Sequence, residues 1–253
     1  MPSKLVTDRQ KSAESVIALA DAHKGAIAKG VEELLKPFLK KGEVVPDIDA
    51  FVDLCARVLE DAKDRMVKAD AAHEAELGDD APIRAARDAA AAALYTRLVE
   101  LREVLIGVYD AEVVGKVLSG PTPEDPVVLE RYAGEVAERL GKIKLPAPRV
   151  KGAKLDPGDI AGSLGEHGDE LKKQLKAVQR EIREAQATLA AKNAEVAAYD
   201  ERFAGVAMTL AGLLRIAGQR DLSAKVKPST RRPGQTAEAT GEVAEPESPP
   251  PNT

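Results

Sequence analysis

The sequence predicts an all-α protein: an elongated helical bundle with a long coiled-coil-like helix over about 168–217, a helical hairpin over about 47–109, and a disordered Pro-rich tail. Three observations lead there. Apolar residues recur at alternating spacings of four and three through Leu171, Leu175, Val178, Ile182, Ala185, Leu189, Val196, Tyr199, Phe203, Val206, Leu210 and Leu213, the period of a helix buried along one stripe. That stretch contains no Pro, and Gly only at 205 and 212. Aromatic residues are 3% of the chain and Trp is absent while Ala recurs densely, so the core is aliphatic and its helices can approach closely.

The elements follow in order. A first helix is expected over about Thr7 to Lys41, with Ala13, Ile17, Ala20, Ile27, Val31, Leu34 and Phe38 on one face. Gly25, Gly30 and Pro37 weaken it, and Lys40, Lys41 and Gly42 mark its end. Asp47 caps a second helix carrying Phe51, Cys55, Val58 and Ala62 and reaching Leu77. Gly78-Asp79-Asp80-Ala81-Pro82 reads as a reversal, because Gly closes a helix, Asp caps the next and Pro suits its first turn. The third helix starts Ala-rich and turns Leu-rich at Leu94, Leu98, Leu101 and Leu105, so helices two and three form the expected antiparallel hairpin.

The chain breaks near Tyr109-Asp110, forms a short helix over about Ala111 to Leu118, and starts a fourth helix at Thr122 or Asp125 that ends near Gly141. Residues 142–167 hold Pro146, Pro148 and Pro157 among four glycines and read as an irregular arm. Asp221 to Val226 makes one more turn. From Lys227 the apolar content drops, and the expected tail buries too little to offset its ordering entropy. The chain thus divides into an N-terminal helical bundle region (1–141), a Pro/Gly-rich arm (142–167), a long heptad helix packing back on the bundle (168–226) and a disordered tail (227–253).

With Leu175 as heptad position a, the d positions are Leu171, Val178, Ala185, Lys192, Tyr199, Val206 and Leu213. Lys192 is the one charge in the stripe. A polar group at such a site restricts pairing while lowering stability, so Lys192 is the candidate register-setting residue. The flanking e and g positions are polar up to residue 202, which makes a narrow stripe, and apolar beyond Phe203, which makes a wider face. The partner of the narrow half is either the 47–109 hairpin, which we favour, or the same helix of a second copy. The candidate interaction residues are Leu171, Leu175, Val178, Ile182, Leu189, Lys192, Val196 and Tyr199.

Composition excludes several functions. A net charge of -5 gives no electrostatic reason to seek phosphate backbones, so no nucleic-acid partner is expected. The longest uncharged apolar stretch, Phe203 to Leu214, is too short to span a bilayer, and the charged residues after Met1 show no signal peptide. The single cysteine, Cys55, rules out an intrachain disulfide framework and a CxxC zinc site. The cytoplasm is the expected location. Ala, Arg and Glu usage resembles that of proteins from GC-rich bacterial genomes.

Chemical candidates are few. Asp70-x-x-His73 places a carboxylate and an imidazole on one helical face, a loose approximation of the Glu-x-x-His of metal-binding bundles, although a solvated helix end is the simpler reading. Glu166-His167-Gly168-Asp169 reads as a helix start with capping acids. Cys55 lies on an apolar face with Phe51 and Val58, as an inert thiol does. Lys225, Lys227, Arg231 and Arg232 form a small basic patch. No GxSxG, GxxxxGK[ST] or strand-borne GxGxxG is present. No cofactor and no small-molecule substrate are expected, and the chain reads as a non-enzymatic structural or adaptor protein acting through helix-mediated contacts, self-association included. The alternatives are a metal-binding four-helix-type bundle using Asp70 and His73, and a peripheral membrane-surface binder using the basic patch.

Overall fold

A computed structural model describes residues 3–150, 152–153 and 155–242. The chain is helical: α1 Lys4–Leu35, a 3-10 turn Lys36–Phe38, α2 Ile48–Val108, α3 Ala111–Val117, α4 Pro126–Lys142, α5 Pro157–Ile216 and α6 Arg220–Val226. Among the described residues no strand forms, and a single antiparallel bridge joins Pro228 to Thr236. Among the described residues no helix is long and apolar enough to cross a membrane. The helices fall into two compact units, one of residues 1–75 and 187–253, the other of 76–186, and α2 and α5 each give one stretch to each.

In the first unit, α1 runs antiparallel to α2, since Ser3 meets Asp70 and Lys24 meets Asp53. The α2 and α5 stretches are also antiparallel, with Arg65 on Glu195 and Asp70 on Lys192. Val6, Ala13, Val16, Ala20, Ile27 and Val31 of α1 meet Val52, Leu59 and Met66 of α2 and Tyr199, Phe203 and Leu210 of α5 in one core. Small residues let the axes close in. A Cβ added at Gly30 would lie 2.7 Å from the Ala217 Cβ, so this glycine makes room for the end of α5. Gly218, at φ +77°, then turns the chain into α6, whose Ser223 hydroxyl donates to the Ala211 carbonyl at 2.8 Å.

The second unit is built on the Leu-rich half of α2. Leu94, Leu98, Leu101 and Leu105 pack with Val113 and Val117 of α3, Leu129, Val136 and Leu140 of α4, and Leu164 and Leu171 of α5. Of the two caps the sequence offers for α4 it is Asp125 that serves, and α3 is capped by Asp110 at the expected break. Asp110 accepts from Val113 N at 3.0 Å, and Asp125 from Val127 N and Val128 N, both at 3.0 Å, with Pro126 in the first turn.

Four expectations are corrected. The all-helical class and a hairpin-like arrangement hold, but no reversal occurs at 78–82: α2 is continuous and contains Pro82, and the bend lies between α1 and α2. Strong helix formers on both sides, together with an i,i+4 bond from Arg84 to Asp80 at 2.8 Å, override a local turn signal and absorb the cost of the missing donor. The arm is irregular only to residue 156, because Asp156 accepts from Gly158 N at 2.8 Å and starts α5 eleven residues before the expected 168. Within it, Arg149 N donates to Val108 O at 2.8 Å. The expected tail is folded as far as residue 242, with Gln235 and Thr236 buried; residues 243–253 lie outside the described residues. Finally, Ile182 and Leu189, expected in the buried stripe, are 44% and 42% exposed.

The last correction has a geometric cause. A helix of 3.6 residues per turn drifts about 20° per heptad against a seven-residue repeat. From the buried Leu210 back to Leu189, both in the first unit, is three heptads, hence about 60° of drift, which turns Leu189 out of the seam. There the seam passes to d and g positions, with Lys192 and Glu195 half-buried; in the second unit Glu181 is buried.

Candidate functional site

The buried polar groups of the first unit gather where α1, α2 and α5 meet. Asp70, 1% exposed, accepts from Ser3 N and Ser3 Oγ, both at 2.9 Å, and from Lys192 Nζ at 2.6 Å. Burial pushes the Asp70 carboxyl up, but the bonds from Lys192 and Ser3 outweigh it and its pKa lies below the usual carboxylate value. One turn on, buried His73 places Nδ1 3.0 Å from Thr188 Oγ1. The two residues read as a loose metal motif have other partners in this structure: Asp70 pairs with Lys192 and Ser3, and His73 with Thr188. The stretch expected to be a solvated helix end lies within α2, with Asp70 and His73 buried.

A second cluster was not anticipated from the sequence. Arg9 grips Asp200 with two bonds, Nε to Oδ1 at 2.7 Å and Nη2 to Oδ2 at 2.8 Å. Beside them the buried Tyr199 hydroxyl shares its proton between the carbonyls of Arg9 at 2.8 Å and Gly234 at 3.1 Å. Burial, then the charge of Asp200, hold the Tyr199 phenol well above its ordinary pKa. Gly234 has φ +73°, and a Cβ there would run into Asp200. Residues 227–242 thus form a strap seated on α1 and α5 through a glycine. The only sequence signals were Pro233-Gly234 in a stretch taken for a tail and one Tyr in a stripe.

The basic patch dissolves in the same strap. Lys225, Lys227 and Arg231 line a groove that also holds Asp221, Glu238 and Glu242, and Glu242 accepts from Ser229 Oγ at 2.6 Å and from Arg231 N at 3.1 Å. Both signs of charge therefore line this groove, while Arg232 is exposed.

In the second unit, carboxylate oxygens of Glu76, Glu181 and Glu184 lie within 4.8 Å of one another. Arg180 reaches Glu181 at 3.0 Å and Glu184 at 3.8 Å, so the cluster carries its own cation. Cys55 is half-buried, and burial raises its thiol pKa, which keeps it a poor nucleophile.

The interaction residues are distributed as follows. Leu171 is buried in the second unit's core and Tyr199 in the first, with Leu175 and Val196 packed partly against those cores. Val178 is half-buried, and Lys192 is bound to Asp70. Ile182 and Leu189 face solvent. Among the described residues, what this arrangement offers is apolar helix surface and paired charges. No protein-family model, no characterised protein and no solved structure matches this chain.

Proposed function

We propose that this protein is a non-enzymatic structural or adaptor protein that acts through helix-mediated contacts with other proteins, and that it works in the cytoplasm. The observation that carries the reading is the exposure of Ile182 and Leu189, large aliphatic side chains that follow a heptad period yet are turned out of the seam. Ile182, between Glu181 and Arg183, and Leu189, among Ala187, Ala190 and Ala191, suit an amphipathic partner helix. A single cysteine with no disulfide framework supports a reducing compartment.

Photo-crosslinking amino acids placed at 182 and 189 test this in cells, with a buried position such as Leu59 as control. A discrete crosslinked protein from both exposed positions and none from the control is expected. Diffuse or absent crosslinks at both would remove the proposal.

A further inference from the structure

The strap encloses a groove of about 740 Å³ against α6, and Lys225, Lys227 and Arg231 line it together with Asp221, Glu238 and Glu242. On one wall the backbone forms an anion cradle. Ser229 Oγ accepts from Arg232 N at 2.9 Å and from Arg231 N at 3.1 Å, a local turn that gathers successive amides on one side. Three donors then converge on Glu242: Ser229 Oγ at 2.6 Å, Arg231 N at 3.1 Å and Thr230 N at 3.2 Å. Successive amides beside a hydroxyl make the concavity in which proteins hold phosphate and carboxylate. The bond from Ser229 keeps the Glu242 carboxyl below its usual pKa against the effect of burial, helped by the two amides and the Arg231 charge. The cradle has its own frame. Ser229 N donates to Gln235 O and Ala237 N to Lys227 O, both at 2.8 Å, and residues 234–236 are buried, so its shape does not depend on Glu242.

We infer that this cradle binds the phosphate group of a small phosphorylated solute, and that Glu242 occupies it as a tethered competitor. Donor geometry favours phosphate. Glu242 serves three donors with two oxygens, Oε1 taking Ser229 Oγ and Arg231 N while Oε2 takes Thr230 N. A phosphate sets a separate oxygen on each donor and turns its ester oxygen into the groove. Charge agrees. With Glu242 seated, three cations in the groove face three acids; once it is displaced a cation is in excess, and an incoming phosphate restores the balance, with the lysines acting as point charges. The groove also falls within the roughly 300–1,000 Å³ of small-molecule sites, whereas a flat anionic bilayer would meet Asp221 and Glu238 as well as the lysines. A tethered carboxylate competes at an effective concentration in the millimolar range. The intact chain therefore binds more weakly than the bare cradle, in proportion to the time Glu242 spends out of it.

Amide NMR spectra of the full chain test this, with inorganic phosphate as the probe and chloride at equal ionic strength as the control. In the wild type, shifts at Thr230 and Arg231 should remain unsaturated at about 10 mM phosphate. Glu242→Ala should bind saturably with a Kd of about 1 mM, at least tenfold tighter. Glu242→Gln, which keeps an acceptor oxygen in the cradle without its charge, should fall between the two. Slow amide exchange at Ser229 and Ala237 reports an intact strap, and if Glu242→Ala loses it, Glu242→Gln decides instead. Adding Lys225→Glu with Lys227→Glu to the tighter variant should weaken binding at least tenfold, and glycerol phosphate should shift the same amides as inorganic phosphate. The inference is overturned by the lack of a saturable shift in a variant whose strap is intact, by an equal response to chloride, or by an affinity indifferent to the lysine reversals. Binding to vesicles containing phosphatidic acid, without any response to glycerol phosphate, would overturn it in favour of a membrane.

Discussion

Lys192 occupies a stripe position that would otherwise hold a leucine, and Asp70 is what makes its charge tolerable there. The pair spans 122 residues of sequence at 2.6 Å. Lys192→Leu should therefore destabilise by about 3–5 kcal/mol, because it strands a buried carboxylate, whereas Lys192→Leu with Asp70→Leu should recover most of that loss. If the double variant also broadens the exchange pattern of amide hydrogens in α5, the pair sets register; equal protection would show it does not. The linkage to pH has a definite sign. Asp70 has a lowered folded pKa, so its contribution is fully present above the unfolded carboxylate value near 4 and fades as pH falls through the folded value. The stability gap between wild type and Asp70→Asn should thus be constant from about pH 5 to 7 and shrink below about pH 4.

Two glycines of α1 make a matched test at the same scale. Gly25 has open space around the Cβ position, while at Gly30 it is blocked by Ala217. Gly25→Ala should stabilise by roughly 0.5–1 kcal/mol, and Gly30→Ala should destabilise by about 1–3 kcal/mol through overpacking. Urea unfolding followed by circular dichroism checks both. From the sequence the two look alike, since each is a glycine in a helix; only the neighbour contributed by the far end of the chain tells them apart.

At the scale of elements, α2 carries its own discriminating experiment. Pro82 inside a continuous helix removes one backbone bond and crowds the preceding turn, at a cost of about 3 kcal/mol. Pro82→Ala should raise helicity and stability by up to that amount; a reversal at 78–82 would instead lose stability on the same change. Helix content was legible because apolar spacing and the capping carboxylates Asp110 and Asp125 act locally. The state of 78–82 was not, since Gly, Asp and Pro express preferences of a few kcal/mol that flanking helix and packing override.

At the scale of the whole molecule, two separate cores organise the chain. Among the described residues of α2 between His73 and Ala91 none is buried, and between Leu171 and Tyr199 of α5 only Glu181 is. Calorimetry should resolve two transitions. Leu59→Ala should lower one and Leu98→Ala the other, each by about 2–5 kcal/mol, and a single transition moved by both would show one cooperative body instead.

By itself the sequence determined an all-helical chain, the break near Tyr109-Asp110 before α3, the start of α4 to within Thr122 or Asp125, and the long heptad stripe of α5, because each depends on residues within a few turns of one another. The tertiary structure alone decided which edge of that stripe is filled, that Lys192 meets Asp70, and that Gly234 seats a strap on Tyr199. Those outcomes depend on where a distant partner begins and ends, and periodicity carries no record of that: it names a face to be covered without naming what covers it.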